Sequence, residues 1–242
     1  MGFPVTWFES NGPEPERTAK FYTELFGWQT QWLPEGSYVL IDTFGGGGIN
    51  GGIGLIREGQ PPHNVIYVEG PDIQALLDKA ESLGATTVRP RTVVPDMVTY
   101  AQFTDPVGNL LGLIEGDGST RVSDGDNPQI NWFEIASVEP KRSWDFYREL
   151  FGWDIKESSG DGYLHGEVNT GQGIMGGIGT SLSGKPLSQV YAQVDDLQKY
   201  LERAGTLGGK TIVEPMPVDP ETSIALFVDP QGNPWGLYVH QH

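Results

Sequence analysis

The chain has 242 residues, no cysteine, 15 Lys and Arg against 32 Asp and Glu, and a formal net charge of −17. This composition excludes disulfides, thiolate nucleophiles and thiolate metal sites, and so few cations argue against nucleic acid or an anionic membrane as a partner. With no basic leader and no apolar run of membrane-spanning length, the reading is a cytoplasmic protein without a membrane segment. Met1-Gly2-Phe3-Pro4-Val5-Thr6 fits the loose myristoylation pattern, which Pro4 and the immediate strand mark as a coincidence.

In chain order, an aromatic-rich strand is predicted over Pro4 to Glu9. A helix follows, with Pro near its start, the apolar pairs Phe21/Leu25 and Tyr22/Phe26 at i,i+4 spacing, and Gly27 as its stop. Strands are expected at Tyr38 to Thr43, Ile49 to Ile56 and Asn64 to Glu69. The next helix carries the stripe Ile73, Leu77, Ala80, Leu83 and ends at Gly84. Thr99 to Thr104 and Leu110 to Glu115 close the first half, joined by the turn Asp105-Pro106-Val107-Gly108-Asn109. Gly116 through Asp126 is polar, glycine-rich and acidic, and reads as a linker over residues 117–127.

The second half repeats the first. Phe21-Tyr22-Thr23-Glu24-Leu25-Phe26-Gly27-Trp28 returns as Phe146-Tyr147-Arg148-Glu149-Leu150-Phe151-Gly152-Trp153, and Trp7-Phe8-Glu9 returns at the same offset as Trp132-Phe133-Glu134. Strands at Gln129 to Ile135, Tyr163 to Asn169, Ile174 to Leu182 and Ser188 to Val194 match those of the first copy. So do the stripe Leu197, Leu201, Ala204, Leu207 before Gly208 and the turn Asp229-Pro230-Gln231-Gly232-Asn233. The expected organisation is α+β, with βαβββ twice in each copy: domain 1 at 1–116 and domain 2 at 128–242.

This pattern resembles the vicinal oxygen chelate superfamily, which includes glyoxalase I, extradiol dioxygenases, and fosfomycin and bleomycin resistance proteins. The resemblance rests on the helix ending in Phe-Tyr-x-x-x-Phe-Gly-Trp and on Asp-Pro-x-Gly-Asn, and it covers essentially the whole chain. It implies that paired βαβββ modules curl a mixed sheet around a cleft, while leaving the activity open. It further implies metal ligands on the first and last strand of each module. The matching positions hold Trp7, Val65 and Gly112 in one copy and Trp132, Gln189 and Gly236 in the other. The fourth position falls within residues 45–56 or 171–180, where neither copy has an acid or a histidine. One neutral amide does not hold a divalent cation, so no metal and no cofactor are expected. His63 shares a strand face with Val65, but its counterpart is Leu187; His165, His240 and His242 show no ligand spacing.

Strand parity puts Glu9 on the face of Trp7 and Glu134 on the face of Trp132. These carboxylates are the candidate catalytic groups, or else they brace neighbouring backbone or a tyrosine. Trp7, Tyr67, Trp132, Gln189, Tyr191, Gln193 and Tyr238 are the candidate ligand-binding residues, an aromatic lining with a few polar groups. Gly46-Gly47-Gly48-Ile49-Asn50-Gly51 and Gly171-Gln172-Gly173-Ile174-Met175-Gly176 imitate a dinucleotide motif, but a strand rather than a helix follows each. Three functions stay open: a binder that sequesters or carries a small organic molecule, a metal-independent isomerase, lyase or cyclase, and a metal-dependent glyoxalase or dioxygenase. The expected partner is a small organic molecule, and the chain is a monomer or homodimer.

Overall fold

The computed structural model describes residues 2–34, 36, 38–117, 124–160 and 163–240; residues 118–123 of the expected linker and His242 lie outside them. The first copy runs β1 (Val5–Asn11), α1 (Pro15–Phe26), β2 (Gln29–Trp32), β3 (Tyr38–Asp42), β4 (Asn50–Gly54), β5 (His63–Gly70), α2 (Ile73–Ser82), β6 (Thr86–Val94), β7 (Val98–Thr104) and β8 (Leu110–Glu115). The second runs β9 (Ile130–Ser137), α3 (Pro140–Phe151), β10 (Asp154–Gly160), β11 (Tyr163–Asn169), β12 (Met175–Thr180), β13 (Leu187–Gln193), α4 (Leu197–Thr206), β14 (Lys210–Pro217), β15 (Thr222–Val228) and β16 (Pro234–His240). Each copy forms an eight-stranded mixed sheet, in the orders β2-β3-β4-β1-β5-β8-β7-β6 and β10-β11-β12-β9-β13-β16-β15-β14. The α+β reading stands.

Four strands complete the βαβββ count beyond those located in the sequence: β2, β6, β10 and β14. Proline and solvent-facing residues hide β6 and β14. They contain Pro90, Pro215 and Pro217 and pair with β7 and β15 through register shifts, so the alternation of a regular strand is broken.

Helices α1 and α3 begin with Pro15 and Pro140 in the first turn and stop at Gly27 (φ 79°) and Gly152 (φ 67°), a left-handed backbone that glycine adopts without a Cβ penalty. Asp72 and Asp196 cap α2 and α4, accepting from the backbone N–H of Ala75 and Lys199.

In space the chain forms two compact units, and each takes half of each copy. Unit 1 is Met1–Trp7, Val65–Thr120 and Trp132–Ser188; unit 2 is Phe8–Asn64, Arg121–Asn131 and Gln189–His242. The repeated signature residues carry this exchange. In unit 2, Tyr22 of the first copy donates its hydroxyl to Asp229 Oδ2 (2.7 Å) in the turn of the second copy, and Trp28 Nε1 donates to the Pro128 carbonyl (2.9 Å). In unit 1 the roles reverse: Tyr147 donates to Asp105 Oδ2 (3.0 Å), and Trp153 Nε1 to the Phe3 carbonyl (2.8 Å). Each aspartate also closes its own turn by accepting from the backbone N–H of Asn109 or Asn233.

Apolar burial follows the same division. Unit 2 is centred on Phe8, Tyr22, Phe26, Trp28 and Trp235; the Tyr22 and Trp235 ring centroids are 4.8 Å apart and those of Phe26 and Trp28 4.4 Å apart. Unit 1 packs Phe103, Phe133, Tyr147, Phe151 and Trp153, with Tyr147 stacked on Phe151 at 5.9 Å. Each buried large side chain is worth about 1.5–3 kcal/mol relative to exposure, so shared cores couple the two copies more strongly than any single hydrogen bond.

Candidate functional site

The glycine-rich strands β4 and β12 create the space for the candidate residues. A Cβ at Gly51 would lie 2.4 Å from the Phe8 ring, and one at Gly176 2.5 Å from Phe133, so these glycines allow close approach of backbone and ring, as their strand context predicts. On the adjoining parity Gly52 and Gly177 leave room for polar side chains. A Cβ at Gly52 would strike the Tyr38 hydroxyl at 2.1 Å, and one at Gly177 would strike Glu134 Oε2 at 2.3 Å and His165 Nε2 at 2.4 Å.

The two polar groups start from the same pair of residues and differ in their partners. In unit 2, Glu9 accepts from the Tyr38 hydroxyl on Oε1 (2.8 Å) and from Asn11 Nδ2 on Oε2 (3.3 Å). In unit 1 the place of Asn11 is taken by Ala136 and that of Leu40 by His165. Glu134 is buried, its Oε2 accepts from Trp132 Nε1 (3.4 Å) and faces His165 Nε2 (3.4 Å), and its Oε1 has no hydrogen-bond partner. Oε1 also lies 3.3 Å from Nε2, so the imidazole faces both oxygens but aligns with only one. Tyr163, the counterpart of Tyr38, stacks on His165 instead, at 6.3 Å and 14°.

These contacts set the protonation equilibria. Burial lowers the His165 pKa, but the hydrogen bond and charge of Glu134, with Glu167, outweigh it and leave the pKa above its ordinary value. The Tyr163 hydroxyl is pushed up to about 12, first by burial and then by the Glu134 charge.

The structure pairs several candidate residues locally. Trp132 contacts Glu134. Gln189 Nε2 donates to the Tyr191 hydroxyl (2.8 Å), and Tyr238 donates to Asn131 Oδ1 (2.6 Å), with Gln193 Oε1 3.2 Å from the same hydroxyl. Tyr67 is buried and accepts from Gln102 Nε2 (2.7 Å). In unit 2, Gln129 and Gln193 also line a pocket of about 440 Å³ with Asp126, Asp195 and Tyr200. Trp7 is half-buried. His63 Nδ1 sits 3.0 Å from the Pro61 carbonyl, a local contact rather than a metal ligand. Sequence reasoning passed over His165, Tyr38 and Tyr163. The available signal was parity: Tyr163, His165 and Glu167 alternate along β11, and only the second copy has His where the first has Leu40.

Two sheets of this topology, each built from paired βαβββ modules, define a tandem protein of the vicinal oxygen chelate type. Residues 8–114 match the family "Glyoxalase-like domain" and residues 129–237 the family "Glyoxalase/Bleomycin resistance protein/Dioxygenase superfamily". The chain belongs to that superfamily, as two tandem domains. Among curated proteins it is 27% identical to "Putative glyoxylase CFP32" of Mycobacterium tuberculosis, over 93% of this chain and 90% of that protein. It is 26% identical to "Anthracycline biosynthesis protein DauV" of Streptomyces sp. (strain C5), over 93% and 89%. Its fold matches the Mn(II)-bound glyoxalase of Novosphingobium aromaticivorans with a TM-score of 0.75 at 14% identity, covering 100% of this chain and 83% of that one. It matches the 2,3-dioxygenase LapB of Pseudomonas sp. KL28 with a TM-score of 0.71 at 12% identity, covering 100% and 94%.

A divalent metal of the kind that family implies does not fit the residues present. The last-strand ligand positions are Gly112 and Gly236, and a Cβ at either would lie 2.1 Å from the ring of Tyr67 or Tyr191. Aromatic rings occupy the space of a coordinating side chain in both copies. Among the described residues no group of three or more His, Cys, Asp or Glu is placed to hold a metal ion.

Proposed function

We propose that the chain binds a small organic molecule without a divalent metal, in a sequestering or carrier role. The observation that carries this reading is the filling of both last-strand ligand positions by the rings of Tyr67 and Tyr191 over glycine. The remaining candidate side chains, aromatic with a few amides and carboxylates, are those of a small-molecule lining. The relatives named for anthracycline biosynthesis fit an organic ligand.

The test is thermal unfolding with metabolites and aromatic antibiotics in the presence of a chelator. A ligand at one hundred times its Kd stabilises the folded state by about 2.7 kcal/mol, and this shift persists in EDTA. Tight binding of one Mn²⁺, Ni²⁺, Zn²⁺ or Fe²⁺ per domain, or loss of ligand binding on chelation, overturns the reading.

A second reading, a metal-independent isomerase, lyase or cyclase, is favoured by one observation in the second copy alone. Both Glu9 oxygens are engaged, whereas Glu134 keeps one unpartnered oxygen beside an imidazole.

A further inference from the structure

We propose that His165 is a general base present in the second copy and absent from the first, held in place by Glu134, and that it takes a proton from an uncharged, flat organic ligand lying against Trp132 and Tyr163. This rests on the reading of a metal-free site for an organic molecule.

The tautomer follows from the contacts. Nε2 faces two carboxylate oxygens and nothing else that bonds, so it carries a hydrogen and donates. Its lone pair then resides on Nδ1, which has no hydrogen-bond partner among the described residues and is not one of the buried unpartnered atoms. The imidazole side chain is 27% exposed, so Nδ1 reaches solvent. Glu134 acts through the imidazole, because its Oε1 is sealed from solvent and its Oε2 is engaged by Trp132 and His165. It is a positioning residue: a buried carboxylate fixes the tautomer and ring plane of an exposed imidazole and stabilises the imidazolium. Trp132 donates to the same Glu134 Oε2 that His165 faces, and Tyr163 stacks on the imidazole face.

The charges around the imidazole support a base stronger than free imidazole. Glu134 on β9 and Glu167 on β11 both raise its pKa; Tyr163 stays neutral, and Lys156 on β10 pairs in register with Glu167. The first copy serves as a natural control. It has the same strand order, carboxylate and tyrosine, but with Leu40 in place of the imidazole, Tyr38 turns to the carboxylate and closes it.

The test uses 5-nitrobenzisoxazole, an uncharged aromatic carbon acid, with the full chain in EDTA. Nδ1 takes the ring C–H proton and the C–H electron pair becomes the third bond of a nitrile. The N–O bond breaks with its pair leaving on the phenolate oxygen, and the imidazolium returns the proton to water. Wild-type turnover above that of imidazole at equal concentration is expected, and His165→Leu lowers kcat/KM by roughly 10²–10⁴-fold. His63→Gln leaves turnover unchanged. Glu134→Gln lowers kcat about tenfold or more at constant KM and moves the pH profile to lower pH, a shift that a purely structural role would not produce.

Chelator-resistant turnover that survives His165→Leu, or no wild-type turnover above imidazole, overturns the assignment of the base and leaves the ligand-binding reading intact. Turnover abolished by EDTA overturns the metal-free reading instead. His165→Gln replaces His165→Leu if the latter fails to show a wild-type circular dichroism spectrum.

Discussion

Tyr22 and Asp229, 207 positions apart, share a 2.7 Å hydrogen bond in a fully buried setting, and Ser10 Oγ lies 2.8 Å from the same hydroxyl. Burial, and then the Asp229 charge, hold the Tyr22 pKa well above its ordinary value, as burial and Asp105 do for Tyr147. Both shifts favour the protonated hydroxyl, which donates to its aspartate.

Tyr22→Phe removes the donor and leaves a buried carboxylate short of one partner. The expected loss is about 1.5–3 kcal/mol, the range for hydrogen bonds to charged groups. Tyr147→Phe costs a similar amount in unit 1, and the two losses add because the sites share no partner. Urea unfolding of the two single variants and the double variant measures this. An unchanged midpoint for either single variant refutes the inference.

The stability contributed by the His165–Glu134 contact depends on pH with a definite sign. The folded pKa of His165 lies above its unfolded value, so the contribution is fully present below the unfolded value, about 6.5, and is lost as pH rises through the folded one. Comparing wild type with His165→Leu from acid to alkaline pH, the wild type holds its advantage at the acid end and gives it up on the alkaline side. Glu134→Gln flattens the dependence. A wild-type advantage that grows with pH contradicts the contact.

Gly176→Ala and Gly177→Ala differ in kind although adjacent. At Gly176 the new methyl meets the buried Phe133 ring, which is packed against Trp153. The core must move, at a cost of about 1–3 kcal/mol. At Gly177 it meets the far ends of Glu134 and His165, which can rotate away. Gly177→Ala therefore retains most of its stability while lowering the His165 pKa, read from the imidazole proton resonances. Equal thermal midpoints for the two variants count against this.

Converting the first copy to resemble the second provides a gain-of-function check. Asn11→Ala with Leu40→His removes the Asn11 donor from Glu9 Oε2 and supplies the imidazole. A second histidine is then expected to titrate above its ordinary pKa, and 5-nitrobenzisoxazole turnover to rise by up to about twofold. A new histidine that titrates at or below the free value shows that Glu9 does not support an imidazole as Glu134 does.

Much of the fold was legible because helix stops, turn glycines and apolar stripes act locally. Gly27, Gly152 and the Asp-Pro-x-Gly-Asn turns announce themselves within a few residues. The extra strands β6 and β14 were not legible, since their register shifts break the period that would reveal them. Strand parity correctly put Trp132 beside Glu134. It did not reveal His165, because the imidazole's partner lies two strands away and the two side chains meet over Gly177. Nor can a repeat say which copy's turn a tyrosine will find. Tyr22 with Asp105 and Tyr22 with Asp229 are equivalent in sequence, and only packing chooses between them.

The exchange of halves between the two copies decides what each copy needs from the other. In this packing each copy places its signature tyrosine on the turn of the other, and either copy taken alone would leave half of each aromatic core exposed to water. Each copy therefore supplies what the other's core lacks, and the two act as mutually dependent partners within one chain. The segment between the copies then serves to keep together two partners that already required each other, and cutting it would be expected to leave a complex of two fragments rather than two independent proteins.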